Sequence, residues 1–464
     1  MTRNLALKYI VTVFIAAQTA TALAADKTML PIEDEPNEAD SLAERPAPEN
    51  EFTLNFDLLT RGEVRKGGLS SDDNSDDFAA FVVERTLFGM QYDRKGLTSK
   101  VTAQHSGTWG SNETNSFNIY EAWANIHSSN GFFAKIGRQN LSYDDQRIFG
   151  ADNWAMTAIS HDALKVGFER ANHKIHLIGA FNQNINNMNG GTFFKGGLQT
   201  YKAMEAAWYH YDLPLKKHGK DGKKIPTLGI SLLFTNLGLQ TENPGDSSTI
   251  QQQLAGTYVK YDSDRLTAEA ATYIQRGKEV NSLPVEAWMF SSKLSYRFYN
   301  QLNVYGGYDY LSGDKQFAVP RGGDIGLVHH DKVRGFSSIN GSHHKFYGAM
   351  DFFYVSTYVS GFTPGLQNVY IGFTGSPIKN ITADVSYHYL ATATKLEERN
   401  QDLGQEIELS LTYSLKKDIN ISAGYSYMSG TQTMEDLKRT SEDRALRWGW
   451  IMLSVSPSVL KFKW

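Results

Sequence analysis

The chain has 464 residues, a formal net charge of −4 and no cysteine, so disulfides and thiolate metal sites are excluded and partners have to be read from local charge. A mean hydropathy of −0.41 without any long apolar run excludes a helical membrane protein. The 24 Tyr, 25 Phe, 8 Trp and 40 Gly suit a transmembrane β-barrel, in which lipid-facing and lumen-facing residues alternate and their hydropathies cancel, although a secreted β-sandwich or β-helix would share this composition.

At the N-terminus Arg3 and Lys8 precede an apolar run from Tyr9 to Ala17, and small residues end in Ala22-Leu23-Ala24. This is the pattern of a signal peptide over residues 1–24. Thr12, Gln18 and Thr19 interrupt the run, which falls short of the ~20 apolar residues of a spanning helix. Residues 25–51 carry nine acidic residues against Lys27 and Arg45, with prolines at 31, 36, 46 and 48. They predict a disordered periplasmic leader, with no plug-sized domain ahead of the first strand.

From Phe52 the chain alternates with period two: Phe52, Leu54, Phe56 and Leu58 against Thr53, Asn55 and Asp57. Further strands are predicted at 78–93, 97–109, 117–128, 132–140, 163–171, 174–182, 201–212, 226–237, 249–261, 266–276, 285–298 and 301–311. Tight turns (93–96, 128–131, 262–265) alternate with longer loops (62–77, 141–162, 183–200, 238–248), as in an up-and-down barrel. The basic stretch Lys216 to Lys224 is an exception, a long turn on the short-turn side. The last strands fall at 366–375, 380–390, 403–415, 419–428 and 446–458. Counting 346–356 as a wall strand would put the turn at 376–379 on the wrong side and make the total odd. Leaving it out gives an all-β, transmembrane, up-and-down antiparallel β-barrel of about 18 strands with long extracellular loops, over residues 52–464. Residues 312–364 then form one long loop whose aromatic segment 346–356 either folds inward or extends the wall above the membrane. At the end of the chain Leu460, Phe462 and Trp464 alternate with Lys461 and Lys463, an apolar face with an aromatic at the membrane boundary. Pro457 interrupts this last ladder.

Alternation also assigns faces. Val101 and Ala103 point to lipid, placing Lys100, Thr102, Gln104 and Ser106 in the lumen. Tyr120, Ala122, Ala124 and Ile126 point out, with Glu121 and Trp123 inside. Leu164, Val166 and Phe168 point out, with Lys165 and Glu169 inside. Asn303 and Asp309 point inward. Arg85 and Glu84 fall on opposite faces, so one of them must lie near a strand end. Between Lys135 and Asp152 polar groups crowd: Arg138, Gln139, Asn140, Tyr143, Asp144, Asp145, Gln146 and Arg147. They suit either a charged constriction or a salt-bridged lumen that holds wall and loops together.

Four stretches resemble the alginate-export outer-membrane family: Tyr120-Glu-Ala-Trp-Ala-Asn-Ile126, Lys135 to Gly150, Gly307-Tyr-Asp-Tyr-Leu-Ser-Gly-Asp314 and His344 to Phe352. Gly137-Arg138-Gln139 with the acidic–Gln–Arg run behind it is the most specific. The resemblance implies an 18-strand barrel passing the polyuronate alginate through a cationic constriction, with Arg138 and Arg147 as cationic contacts and Glu121 and Asp309 as lumen partners.

The expected function is an outer-membrane channel for passive passage of an anionic saccharide, along a path of Arg138, Arg147, Glu121, Lys100, Lys165, Asp309, Asp144 and Asp145. A general porin is the alternative. A lipid-modifying barrel enzyme would need a Ser or Thr beside a His on the outer wall; His105 and Ser106 are adjacent and so face opposite ways. Neighbouring histidines at 329, 330, 343 and 344 also point apart, and no metal or other cofactor is expected. The partners are outer-membrane lipid and an anionic or neutral saccharide, with a periplasmic partner able to dock on the leader or the basic turn. No charge pattern or motif indicates nucleic acid.

Overall fold

The computed structural model describes residues 50–67, 78–151, 154–182, 200–215, 224–241, 246–299, 302–314, 331–338, 340–353, 363–396, 399–438 and 445–464. The signal peptide, most of the leader, His329, His330 and residues 354–356 lie outside them. A strand crossing hydrocarbon finds no water for its backbone, so it has to be paired along both edges. The strands that do this are β1 (Asn50–Lys66), β2 (Ala79–Arg94), β3 (Leu97–Thr108), β4 (Ser116–His127), β5 (Phe132–Gln139), β6 (His161–Arg170), β7 (His173–Phe181), β8 (Ala203–Pro214), β9 (Thr227–Gln240) and β10 (Thr249–Asp262). They continue with β11 (Leu266–Lys278), β12 (Pro284–Tyr299), β13 (Leu302–Leu311), β14 (Leu366–Ile378), β15 (Ile381–Ala391), β16 (Asp402–Lys416), β17 (Ile419–Gly430), β18 (Ala445–Val455) and β19 (Ser458–Lys463). Each pairs antiparallel with the next as far as β18, and β1 pairs with both β18 and β19. β18 and β19 are two halves of one wall strand, so the wall is a closed barrel of 18 strands.

The seam shows how Pro457 is accommodated. Leu58 faces Val455 and Asn55 faces Ser458, so one register runs through the proline. The amide of Phe56 donates to the Pro457 carbonyl at 3.1 Å, which needs nothing from the missing proline N–H. The register shifts just beyond, between Leu54 and Asn55, with Val459 as the extra residue. Lys461 and Lys463 close on Glu51 at 2.7 and 2.9 Å. Trp464 is half exposed on the outer face and stacks on Tyr92 and Phe462.

Face assignment holds on most strands. Val101, Ile126, Leu164 and Val166 are exposed on the outer wall, while Thr102, Gln104, Ser106, Glu121 and Trp123 are buried inside. Tyr120 departs from it. A bulge shifts the register at Tyr120, so that Thr102 faces Glu121 and Ala103 faces Ile119; Tyr120 is buried and its hydroxyl accepts from Asn140 at 3.1 Å. The Arg85–Glu84 conflict is also resolved. Arg85 points inward to the Ala155 carbonyl, and Glu84 sits outside near the long-loop rim, where it accepts from Trp109 Nε1 at 2.7 Å.

No described residue between β13 and β14 belongs to a wall strand. The described part of 346–356 folds inward instead, with Tyr347, Met350, Phe352 and Phe353 buried against β15–β18 and a short helix α1 (Gln432–Lys438). α1 lies where a plain loop is predicted. The loop after β5 packs Leu141, Tyr143, Ile148 and Phe149 onto Met204, Trp208, Leu233 and Leu254 of the wall. Each large apolar side chain buried this way contributes about 1.5–3 kcal/mol, which explains why Met204, Trp208, Leu233 and Leu237 stand at inward positions of β8 and β9.

Gly137 sits between Trp123 and Ala163 in the ladder with φ +120°. A Cβ there would lie 2.9 Å from the Trp123 Cα and closer still to the Ala122 carbonyl oxygen. Neither backbone atom can rotate away. Gly137→Ala should therefore cost about 1–3 kcal/mol and lower the urea midpoint of barrel unfolding in micelles; an unchanged midpoint would show that the ladder relaxes freely at this point.

Candidate functional site

The loop of residues 140–160 leaves β5 at Asn140 and turns into the barrel. Asp144 and Gln146 have positive φ, 55° and 68°, conformations that need external anchors. Asp144 supplies one: its carboxylate accepts from Ser231 Oγ at 2.5 Å and Trp208 Nε1 at 3.2 Å. Burial raises its pKa to about 6, against the lowering effect of those two donors, and Asp145 beside it adds to the rise. Tyr143 OH bonds His176 Nδ1 at 2.9 Å, tying the same turn to β7.

Arg147 is the hub. Its guanidinium reaches Asp145 at 3.1 Å, Asp309 at 3.1 Å and the Tyr347 hydroxyl at 2.7 Å, and lies 3.9 Å from the centre of the Phe346 ring. One side chain thus joins its own loop, wall strand β13 and the segment 340–353. Burial opposes its charge, but Asp309, Tyr347 and Asp145 outweigh that and hold the pKa well above the usual arginine value. The backbone continues the junction: Gly150 N donates to Asn340 O at 2.8 Å, Ser342 N to Gln146 O at 2.9 Å, and Ser338 Oγ to Arg147 O.

The segment 340–353 is latched on its other side. Met350 N donates to Glu406 at 2.9 Å and Ala349 N to Glu408 at 2.5 Å. His344 stacks on Trp154 at 4.0 Å and bonds Asp351 at 2.9 Å. Trp154 in turn lies under the Arg61 guanidinium. Glu63 accepts from Arg61, Arg65 and Trp448 Nε1 at 2.8, 3.0 and 2.9 Å. Lys438 of α1 donates to the Phe352 carbonyl at 3.0 Å, and burial pushes its pKa down to about 7.

Towards the short-turn end the inner wall is basic. Lys100 bridges Glu121 at 2.7 Å, and Glu121 accepts from Trp123 Nε1. Lys135 lies over the Trp123 ring at 3.6 Å, directly opposite Lys165 in the ladder, and Lys165 Nζ is 5.8 Å from the centre of the Phe133 ring. β13 to β16 carry Asp309, Asp384, Glu406 and Glu408, of which Asp309 and Glu406 are buried beneath the docked loops.

The structure brings together Arg147, Asp145 and Asp309 in one cluster, and Lys100 and Glu121 in another with Lys165 nearby. Asp144 serves as an anchor apart from both. Arg138 corrects the sequence reading: it shares the outward face with Phe132 and Ile136, each about 60% exposed at 61% and 60%, and forks onto Asp162 of the adjacent strand at 2.8 and 2.9 Å. Gln139 takes the inward position and is fully buried. Arg147 is a structural clamp, 5% exposed, and presents no open cationic surface. His105 and Ser106 lie on opposite faces, with Ser106 buried and bonded to Ser116. Sequence reading missed Arg61, Glu63 and Arg65 because β1 was ended early, and missed Glu406 and Glu408. Both sets carry a signal, charges at i, i+2 with Gly62 and Val64, or Ile407, between them.

Two outcomes follow for the loop junction. Arg147→Ala leaves Asp309 and Asp145 facing each other without a cation, a loss of about 3–5 kcal/mol; residues 340–353 should become sensitive to limited proteolysis while the wall stays folded. The raised pKa of Asp144 means the docked loop binds a proton that the free loop does not. Docking is strongest below the ordinary value of 3.8 and weakens as pH rises through about 6. Protection factors at 143–147, exchange corrected for its intrinsic pH dependence, should therefore be higher at about pH 4 than at about pH 7, and Asp144→Asn should remove that difference even with Asp145 and His210 still in place.

Comparison with known proteins agrees with this architecture. Among solved structures, OpdO of Pseudomonas aeruginosa superposes with a TM-score of 0.58 at 13% identity, covering 88% of this chain and 98% of the other. OccK2 (OpdF) in complex with glucuronate gives 0.54 at 12%, with 88% and 98% covered, and OpdK with vanillate gives 0.54 at 12%, with 88% and 99% covered; both are also from P. aeruginosa. At such identities the likeness shows the fold. No curated protein sequence matches. The alginate export family model matches residues 69–445, and with the closed barrel and its inward-folded loops this establishes that the chain belongs to the alginate export family of porin-like outer-membrane β-barrels.

Proposed function

We propose that this barrel is a passive channel for anionic saccharides of the uronate type, and that they engage the inner wall of β3–β6. The observation that carries the reading is the Lys135–Lys165 pair. The two stand within two ladder positions of Lys100 and beside Trp123 and Phe133. A carboxylate passing along this face meets Lys100 and Lys165, which are partly exposed, while Lys135, buried over Trp123, adds its charge from behind. The family match supports a polyuronate, and a neighbour in fold, OccK2 (OpdF), was solved with glucuronate. Arg147 acts indirectly, by fixing the loops that narrow the lumen opposite these lysines.

A second reading, a general porin, draws on Asp384 and Glu408, the partly exposed carboxylates of β15 and β16, which with the lysines suit small polar solutes of either charge. Conductance in planar bilayers separates the two. Oligouronates should block the current, and Lys100→Gln or Lys165→Gln should weaken the block about threefold to tenfold, the effect of one partly screened charge. Arg138→Gln, on the outer face, should leave it unchanged. Conductance that no uronate alters makes the protein a general porin, and a sealed bilayer overturns both readings.

A further inference from the structure

The outer wall at the long-loop rim carries a second charged feature, unrelated to the lumen. On β11–β13 the outward side chains are ordered by height. Leu294 and Phe290 belong to the exposed apolar belt, Ile274 and Trp288 face one another above them, and Arg276 faces Glu286 at the top. Trp288 stacks on Tyr310 at 4.6 Å. Aromatic pairs at this height mark the boundary between hydrocarbon and headgroups, so the cations immediately above them stand at headgroup depth.

A cavity of about 550 Å³ opens there, lined by Trp288, Tyr310, Arg276, Arg334, Lys395 and Glu286 among others. Arg334 comes from the inserted segment after β13 and Lys395 from the loop after β15, so three separate parts of the chain converge on it. Lys332 bridges Glu286 at 2.8 Å and Arg334 reaches Asp331 at 3.1 Å, so that among the described residues Arg276, Lys332, Arg334 and Lys395 stand against Glu286 and Asp331. Guanidinium and ammonium groups gathered in a pocket at headgroup depth recognise phosphate.

We propose that this cavity binds the phosphorylated headgroup of an outer-leaflet glycolipid, with Arg276, Arg334 and Lys395 on phosphate and the Trp288–Tyr310 pair under the sugar. Its acyl chains run down the wall past Phe290 and Leu294. A lipid, and not a free anion, is the occupant because the floor of the cavity is continuous with the apolar belt. The site faces away from the lumen and is independent of the solute that passes.

Native mass spectrometry of the whole protein, exchanged through mild detergent from vesicles of phosphatidylcholine with lipid A, tests this. The wild type should retain lipid A. Arg276→Gln with Lys395→Gln should retain it about 30-fold less, two basic groups near a charged surface, with conductance unchanged. The wild type should fail to retain lipid A stripped of its phosphates, an arm that needs no variant. Equal retention by wild type and variant, equal retention of the dephosphorylated lipid, or displacement of lipid A by millimolar inorganic phosphate would each overturn the proposal.

Discussion

Everything in this protein follows from the absence of water beside the outer wall. Each backbone N–H and C=O in the hydrocarbon has to find a partner in a neighbouring strand, and no edge can be left open. Closure therefore falls on β1, which accepts β18 along one stretch and β19 along the next. The chain tolerates a proline in that seam because the Phe56 amide uses the Pro457 carbonyl, and the defect is absorbed by an extra residue one step on. Glu51, held by two lysines of β19, fixes the short-turn end of the same seam.

Closure creates an interior, and two kinds of packing divide it. Where loops dock, the inner wall is apolar and aromatic, and buried charges are matched within a few ångströms: Arg147 with Asp145 and Asp309, Arg61 and Arg65 with Glu63. Removing one partner of such a set costs more than the set contributes, which makes the loop arrangement specific even where its net stabilisation is small. Where none of the described loops docks, on β3–β6 towards the short turns, lysines lie close together and opposite one another.

The architecture was legible because period two, turn length and the need for an even strand number are all written in the sequence. They removed 346–356 from the wall, and the buried positions of Tyr347, Met350 and Phe352 bear that out. The faces of Lys100, Glu121, Lys165 and Asp309 followed from the same alternation. Arg138 was misplaced because the family resemblance gave it a lumen role, whereas the alternation that puts Ile136 outside puts Arg138 outside too. Tyr120 was misplaced because a bulge adds a residue without any change in hydropathy. The partners of Arg147 lie about 160 and 200 residues away in sequence, and long-range pairing of this kind has no local signal.

The distribution of charge separates the residues that hold the pore from those able to meet a solute. A guanidinium that already forks onto two carboxylates and a tyrosine, behind an aromatic ring, has few donors left, so Arg147 sets where the loops stand and solutes pass it by. The lysines of β3–β6 are long point charges on a rigid wall: Lys100 pairs with Glu121, Lys135 is buried over Trp123, and Lys165 lies partly exposed near Phe133. On the proposed reading, anion selectivity belongs to the wall and the width of the passage to the loops. The two properties can change independently, because no side chain of the Arg147 cluster belongs to the lysine face.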